Sequence, residues 1–192
     1  MTDLQTLVNA IPDAQDGNII TSNYHNAIKA ALQAIAAQLE GAPGAQTVRL
    51  TVHPNFLPIA GSTAWTVTLG VATSAAGNGS NGFISLDLPD GATIQQMVAI
   101  GAQASPPAKG FASLLVLPIG GTAATTLILI DLSTGGIPFT LTGSPNVPGL
   151  TASALKEMQI VQNSQFKYAI QSQVLGGGVA INAFQVVYTT AS

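Results

Sequence analysis

The sequence predicts a mainly β protein, an antiparallel jelly-roll-like β-sandwich preceded by an N-terminal amphipathic α-helix. Three observations predict it. After Gly44, apolar and polar residues alternate along short runs, the period of strands with one buried face. Clusters of Gly, Pro, Asn and Ser separate about ten such runs at spacings near a dozen residues, as in sandwiches and jelly rolls and unlike strand–helix alternation. Before Gly44, Asp16 to Gly44 keeps a helical period and carries start and stop signals. The expected division is 1–44, an arm and helix for attachment or oligomerisation, followed by 45–192, the β-sandwich.

Taken in order, Thr2 to Ala10 reads as a short helix with a Thr2/Gln5 capping box and Leu4, Leu7, Val8 and Ile11 on one face. An element so small needs a neighbour to fold against. The main helix follows. Thr21 and Ser22 offer hydroxyls to its first orphan N–H groups, and Asp16 sits on the favourable side of its dipole. Ile28, Leu32, Ile35 and Leu39 recur as one narrow stripe, with Tyr24 a turn earlier, and Gly41, Pro43 and Gly44 end the helix. A stripe this narrow suits a seam between helices better than a broad seat on a core. The alternative is that the helix lies across the edge of its own β-domain.

The first strand is predicted at Val48, Leu50 and Val52, alternating with Arg49 and Thr51. A second is expected at Trp65, Val67, Leu69 and Val71, alternating with Thr66, Thr68 and Gly70. Ala75 to Gly82, with two Asn-Gly pairs, reads as a loop of tight turns. Ile84, Leu86 and Leu88 form a strand ended by Pro89-Asp90-Gly91, and Thr93–Gln103, Phe111–Leu117, Thr125–Leu132 and Ile137–Thr142 follow. Ser144 to Gly149 is a longer connection, and Met158 with Ile160 opens the last group of strands. There Phe166, Tyr168, Ile170 and Val174 share a face, Lys167, Gln171 and Gln173 are exposed, and Gly176 to Gly178 turns the chain into Val179–Thr189 as a terminal hairpin. Exposed edges need guarding, and prolines 58, 89, 118 and 138 are candidates for that task.

Composition narrows the function. Five basic and eight acidic residues among 192 make the chain 7% charged, against about 25% in ordinary soluble domains. It is 47% hydrophobic, with mean hydropathy +0.42 and net charge −3. So thin an ionic coat suits a surface covered by neighbouring subunits. A membrane span is not expected, because Pro118, Gly120, Gly121, Thr125 and Thr126 cut the apolar stretch between Lys109 and Asp131. The N-terminus has no basic segment followed by an apolar one, so a signal peptide is not expected either. No cysteine is present, which excludes disulfides and thiolate sites. A pI near 5.0 with scattered cations gives no footprint for nucleic acid.

Catalytic material is scarce. His25 stands beside the helix stripe and His53 precedes Pro54, and both read as polar residues at element ends. Asp87 and Asp90 read as strand end and turn in LDLPDG, and not as an acid/base pair. The glycine clusters lack a following Lys-Ser/Thr, and Ser62, Ser74 and Ser113 lack a nucleophile-elbow context. Asn78-Gly79-Ser80 matches a glycosylation acceptor by chance. Trp65, Tyr168 and Tyr188 would serve as sugar-stacking platforms if exposed, although aromatics on alternating strands more often belong to the core. No catalytic residue, cofactor or metal is expected.

In combination, DGNIITSNYHNAIKAALQAIA near the start and FKYAIQSQVLGGGVAINAFQVVYTT at the end resemble small virion proteins of tailed bacteriophages. The likeness covers the two ends of the chain. It implies a non-enzymatic coat, decoration or fibre component, often trimeric, made in the host cytoplasm and carried on the particle surface. As a head-decoration (cement) protein, it would bind the major capsid protein and itself. As a short tail fibre, it would attach to the baseplate, and loops such as Ala75 to Gly82 would contact host glycans. The expected association seam is Tyr24, Ile28, Leu32, Ile35 and Leu39.

Overall fold

A computed structural model describes residues 26–33, 35, 45–75, 79–103, 109–121 and 123–190. By its contacts the chain divides into two units, Met1–Gly44 with Ser192, and Ala45–Ala191. In the first unit, residues 26–33 form a helix, α1, and residue 35 is helical too. The expected short helix at Thr2 to Ala10 lies outside the described residues.

The second unit contains, in order, β1 (Gln46–Val52), β2 (Leu57–Pro58), β3 (Thr66–Thr68), β4 (Val71–Thr73), β5 (Ser80–Leu86), β6 (Thr93–Gln103), β7 (Lys109–Pro118), β8 (Thr125–Asp131), β9 (Phe139–Gly143), α2 (Ala152–Gln159), β10 (Phe166–Leu175) and β11 (Val179–Thr190). They make two antiparallel sheets. One runs β3-β4-β11-β6-β9, with β1 also paired to β11, and the other runs β2-β5-β10-β7-β8. The inner faces of both sheets share one core, so the unit is a β-sandwich, with Phe184, Ile94, Met97 and Ile181 meeting Leu114, Ile128 and Ile170.

Alternation explains most strands. In β7, Ala112, Leu114 and Val116 are buried and Phe111, Leu115 and Leu117 half-buried, while Ser113, on the outward side, is buried as well. In the long pair β6–β11, two bulges shift the alternation. The pairing steps from Ile181 to Ala183 opposite Gly101 and Ile100, so the inward set of β11 changes from Val179 and Ile181 to Phe184, Val186 and Tyr188. The edges carry few guards: Asp131 ends edge strand β8, Arg49 lies in β1, Pro58 lies in edge strand β2 and Pro138 immediately precedes edge strand β9. The edge of β8 is met by the chain after β9, where the Asn146 N–H donates to the Leu127 carbonyl at 2.8 Å.

Four expectations are corrected. Trp65 to Val71 is not one strand: β3 and β4 pair Thr68 with Val71, leaving Leu69 and Gly70 as a two-residue turn, both at positive φ (51° and 79°). That is the primed turn whose twist matches a hairpin. Asn81-Gly82 lies inside β5, not in a turn. Glycine is required there because a Cβ would come within 2.8 Å of the Phe56 Cβ and 3.2 Å of the Trp65 Cδ1. Met158 belongs to helix α2, which Thr151 starts by accepting the Ala154 N–H at 3.2 Å; Ile160 caps its end and makes a single bridge to Thr93.

The fourth correction is the terminal hairpin. β10 and β11 do not pair: β10 is central in one sheet and β11 central in the other, so Gly176 to Gly178 carries the chain across the sandwich. Gly176 and Gly178 take φ of 100° and 90°, which suits so abrupt a change of direction. Turn residues report that a chain reverses, and hydrogen bonding to third strands decides whether the two arms pair or stack.

Candidate functional site

Three of the five expected seam residues, Ile28, Leu32 and Ile35, lie within the described residues. Ile28 is 43% and Leu32 60% exposed, while Ala31 beside them is buried. Ile35 is helical and half-buried. Tyr24 and Leu39 lie outside the described residues, as do His25 and the Thr21/Ser22 cap. Ile28 and Leu32 thus form an exposed apolar pair on one face of the helix.

The residues weighed for chemistry are dispersed. Among the described residues no three of His, Cys, Asp or Glu gather as metal ligands. His53 is exposed in the turn after β1. Asp90 works in a turn: the Ala92 N–H donates to the Pro89 carbonyl at 3.1 Å, and the Asp90 carboxylate accepts the Asn163 N–H at 2.7 Å. Asn163 in turn donates through its side chain to the Leu88 carbonyl at 2.9 Å. The loop after α2 is thereby tied to the end of the β5 segment. Asp131 accepts the N–H and the hydroxyl of Ser133, at 2.8 and 2.6 Å, and so caps the 3-10 turn Leu132–Thr134.

The three candidate stacking aromatics are buried. Trp65 stacks on Phe56 with centroids 4.9 Å apart and donates its indole N–H to the Ser172 carbonyl at 3.3 Å. Tyr188 faces the core. Tyr168 accepts the Gln162 N–H at 2.9 Å. Burial raises its pKa above the ordinary value, the Gln162 hydrogen bond opposes this, and the Asp90 charge adds to it. A glycan platform built on these three rings is therefore excluded.

The outward positions of one sheet differ in exposure: Leu129 and Asp131 are exposed, Asn81, Phe83, Phe111, Gln171 and Gln173 are half-buried, and Ser113 is buried. Across the outer face of the β2-β5-β10-β7-β8 sheet, register aligns Asn81, Gln173, Phe111 and Asp131 in one row, and Phe83, Gln171, Ser113 and Leu129 in the next. The Gln171 amide donates to the Asn81 side-chain carbonyl at 3.1 Å. Phe111, Gln173, Leu129, Asp131 and Leu175 line a shallow depression on this face. The outward side of Gln171 and Gln173 followed from alternation, although both are half-buried and not exposed as expected. Their meeting with Asn81 and Phe111 did not, because it depends on which strands pair and in what register.

No family model matches the chain, and neither does any curated protein. Among solved structures it is similar to a xylan-binding module, CBM15, at a TM-score of 0.44 and 14% identity, over 78% of this chain and 99% of that one. So distant a likeness transfers no property. No helix among the described residues is long and apolar enough to cross a membrane.

Proposed function

We propose that the protein is a non-enzymatic structural subunit of a phage particle, a trimeric head-decoration protein that is joined to its copies and to the major capsid protein through the α1 stripe and bears a jelly-roll-like β-domain. The observation that carries this reading is the exposure of Ile28 and Leu32 on a helix in a chain that is only 7% charged. Burying such side chains completely contributes about 1.5–3 kcal/mol each. Association costs about 4–15 kcal/mol, so one pair is insufficient and the whole stripe, repeated in each copy, is needed. Many copies on one particle then gain from multivalency. The reading requires neither cofactor nor nucleic acid nor membrane insertion. A tail-fibre placement would use the same seam against the baseplate.

Sedimentation of the full chain tests the seam. The wild type is expected to be oligomeric, and Ile28→Asp with Leu32→Asp is expected to give monomers that keep a β-rich circular-dichroism spectrum. An unchanged oligomer in the double variant would remove the seam. Mixing the wild type with shells lacking decoration, and separately with baseplates, distinguishes the two placements by co-sedimentation; binding to neither would remove the virion reading.

A further inference from the structure

The β3–β4 hairpin ends in a side chain that its own fold does not use. Leu69 is the one non-glycine residue at positive φ among the described residues, and its side chain is 99% exposed. A left-handed leucine bears a steric penalty that asparagine or glycine would relieve, so neither the turn nor the core accounts for leucine there. Val67 on the same short strand is exposed too, and Thr66 and Thr68 alternate with it in the open. From residue 50 to residue 86 the chain has no Lys, Arg, Asp or Glu. The tip is therefore a small apolar knob on a neutral hairpin. An apolar groove lies elsewhere in the same unit. Helix α2 has no fully buried residue, and beside it Val116, Leu150, Ala154, Met158, Ile160 and Phe166 line a groove of about 360 Å³. Met158 and Phe166 pack against the core, while Leu150 and Ile160 are each 39% exposed, so this end of the core is covered incompletely. The lining also carries Glu157, Gln162 and Gln165, and exposed Lys156 and Lys167 adjoin it in sequence.

We propose that the Leu69 knob of one copy seats in the α2 groove of a second copy. Three arguments select that occupant. The groove has charges of both signs around it, which favours a neutral guest over an anion or a cation; the hairpin brings no charge, and Thr66 and Thr68 bring hydroxyls for the Glu157 carboxylate and the two glutamines. A lipid surface is a poor recipient of the knob, because two apolar side chains insert little area and the chain has no Lys or Arg between Arg49 and Lys109 to draw the hairpin to anionic headgroups. A small molecule in the groove would leave Leu69 unexplained, and a foreign receptor for Leu69 would leave the groove unexplained, whereas a second copy accounts for both with one contact. Knob and groove are different patches, so the contact is heterologous, the kind from which a ring such as a trimer closes. It is also small: it orients copies that the α1 stripe gathers, and to that extent it rests on the seam.

Thiol trapping tests the contact directly, since the chain has no cysteine of its own. Full chains carrying Leu69→Cys are mixed with full chains carrying Leu150→Cys and oxidised mildly. The mixed disulfide dimer is expected to form about tenfold faster or more than in a mixture of Leu69→Cys with Leu129→Cys, a more exposed leucine outside the groove. Equal rates, or Leu69→Cys pairing faster with itself, would overturn the proposal. Sedimentation equilibrium gives a second reading. Leu69→Asn is expected to weaken association of the full chain about tenfold or more, the loss of one buried leucine, while raising the denaturant midpoint of the dilute chain. A merely structural role would move both in the same direction. Leu150→Asp should weaken association by a similar factor, and unchanged association in either variant would count against the contact. Anionic phospholipid vesicles that co-sediment the wild type but not Leu69→Asn would assign the knob to a membrane and overturn the proposal as well. The seam fails separately: an Ile28→Asp, Leu32→Asp chain that stays oligomeric removes the seam alone, and trapping, which registers brief encounters, still reads the knob and groove in a chain that sediments as a monomer.

Discussion

Leu69 is held at φ 51° with its side chain 99% exposed, so it bears the steric penalty of the left-handed region without any burial to offset it. Asparagine tolerates that region and would make the turn Asn-Gly, the preferred pair for this hairpin. Leu69→Asn is expected to stabilise the protein by about 0.5–1 kcal/mol, read as a higher denaturant midpoint with an unchanged slope. Tyr168 gives a second prediction. Its folded pKa is raised, so the neutral phenol favours the fold; that contribution is complete below about pH 10, the unfolded value, and is lost as pH rises through the folded pKa. Stability should therefore fall more steeply above about pH 10 in the wild type than in Tyr168→Phe. Equal slopes in alkaline denaturation would show that Tyr168 ionises equally in both states.

Helix α2 has no fully buried residue, and its start depends on one hydroxyl, that of Thr151. Thr151→Ala is expected to cost about 1 kcal/mol locally. The measurable sign is faster hydrogen exchange at Ala154 and Leu155, with the β6 and β11 amides unchanged. The expected strand start at Met158 and Ile160 hides this helix, although Thr151 followed by the good helix formers of Ala-Ser-Ala-Leu-Lys-Glu-Met carries its signal. The strands were more legible. Thr93–Gln103 was placed with its exact limits, and Phe111–Leu117 and Thr125–Leu132 to within two residues, because alternation over a shared core leaves few choices.

At the scale of the whole molecule, thirteen charges in 192 residues leave little for ion pairing between copies, so apolar burial must hold the proposed assembly. Its dissociation constant is expected to change by less than about threefold between low salt and about 0.5 M NaCl, where exposed charges are screened. A tenfold or larger weakening in sedimentation equilibrium across that range would show that charges such as Arg49, Lys167 or Asp131 carry the contact. The outer face of the β2-β5-β10-β7-β8 sheet belongs to this scale too. Its two rows draw on β5, β7, β8 and β10, from Asn81 to Gln173, and no local spacing announces them.

From the sequence alone came the mainly β character, the low charge, the apolar stripe near the N-terminus, and the inward side of most of the long strands. These follow from local period and composition, which act through hydration and backbone sterics within a few residues. Only the tertiary structure decided that β10 and β11 belong to opposite sheets, that Trp65, Tyr168 and Tyr188 are interior, and that Asn81, Gln171 and Gln173 share one outer face. Strand partners are chosen by non-local hydrogen bonding and core packing. Several pairings of the same alternating runs satisfy the local rules equally well, and the three-dimensional fit of the whole core selects among them.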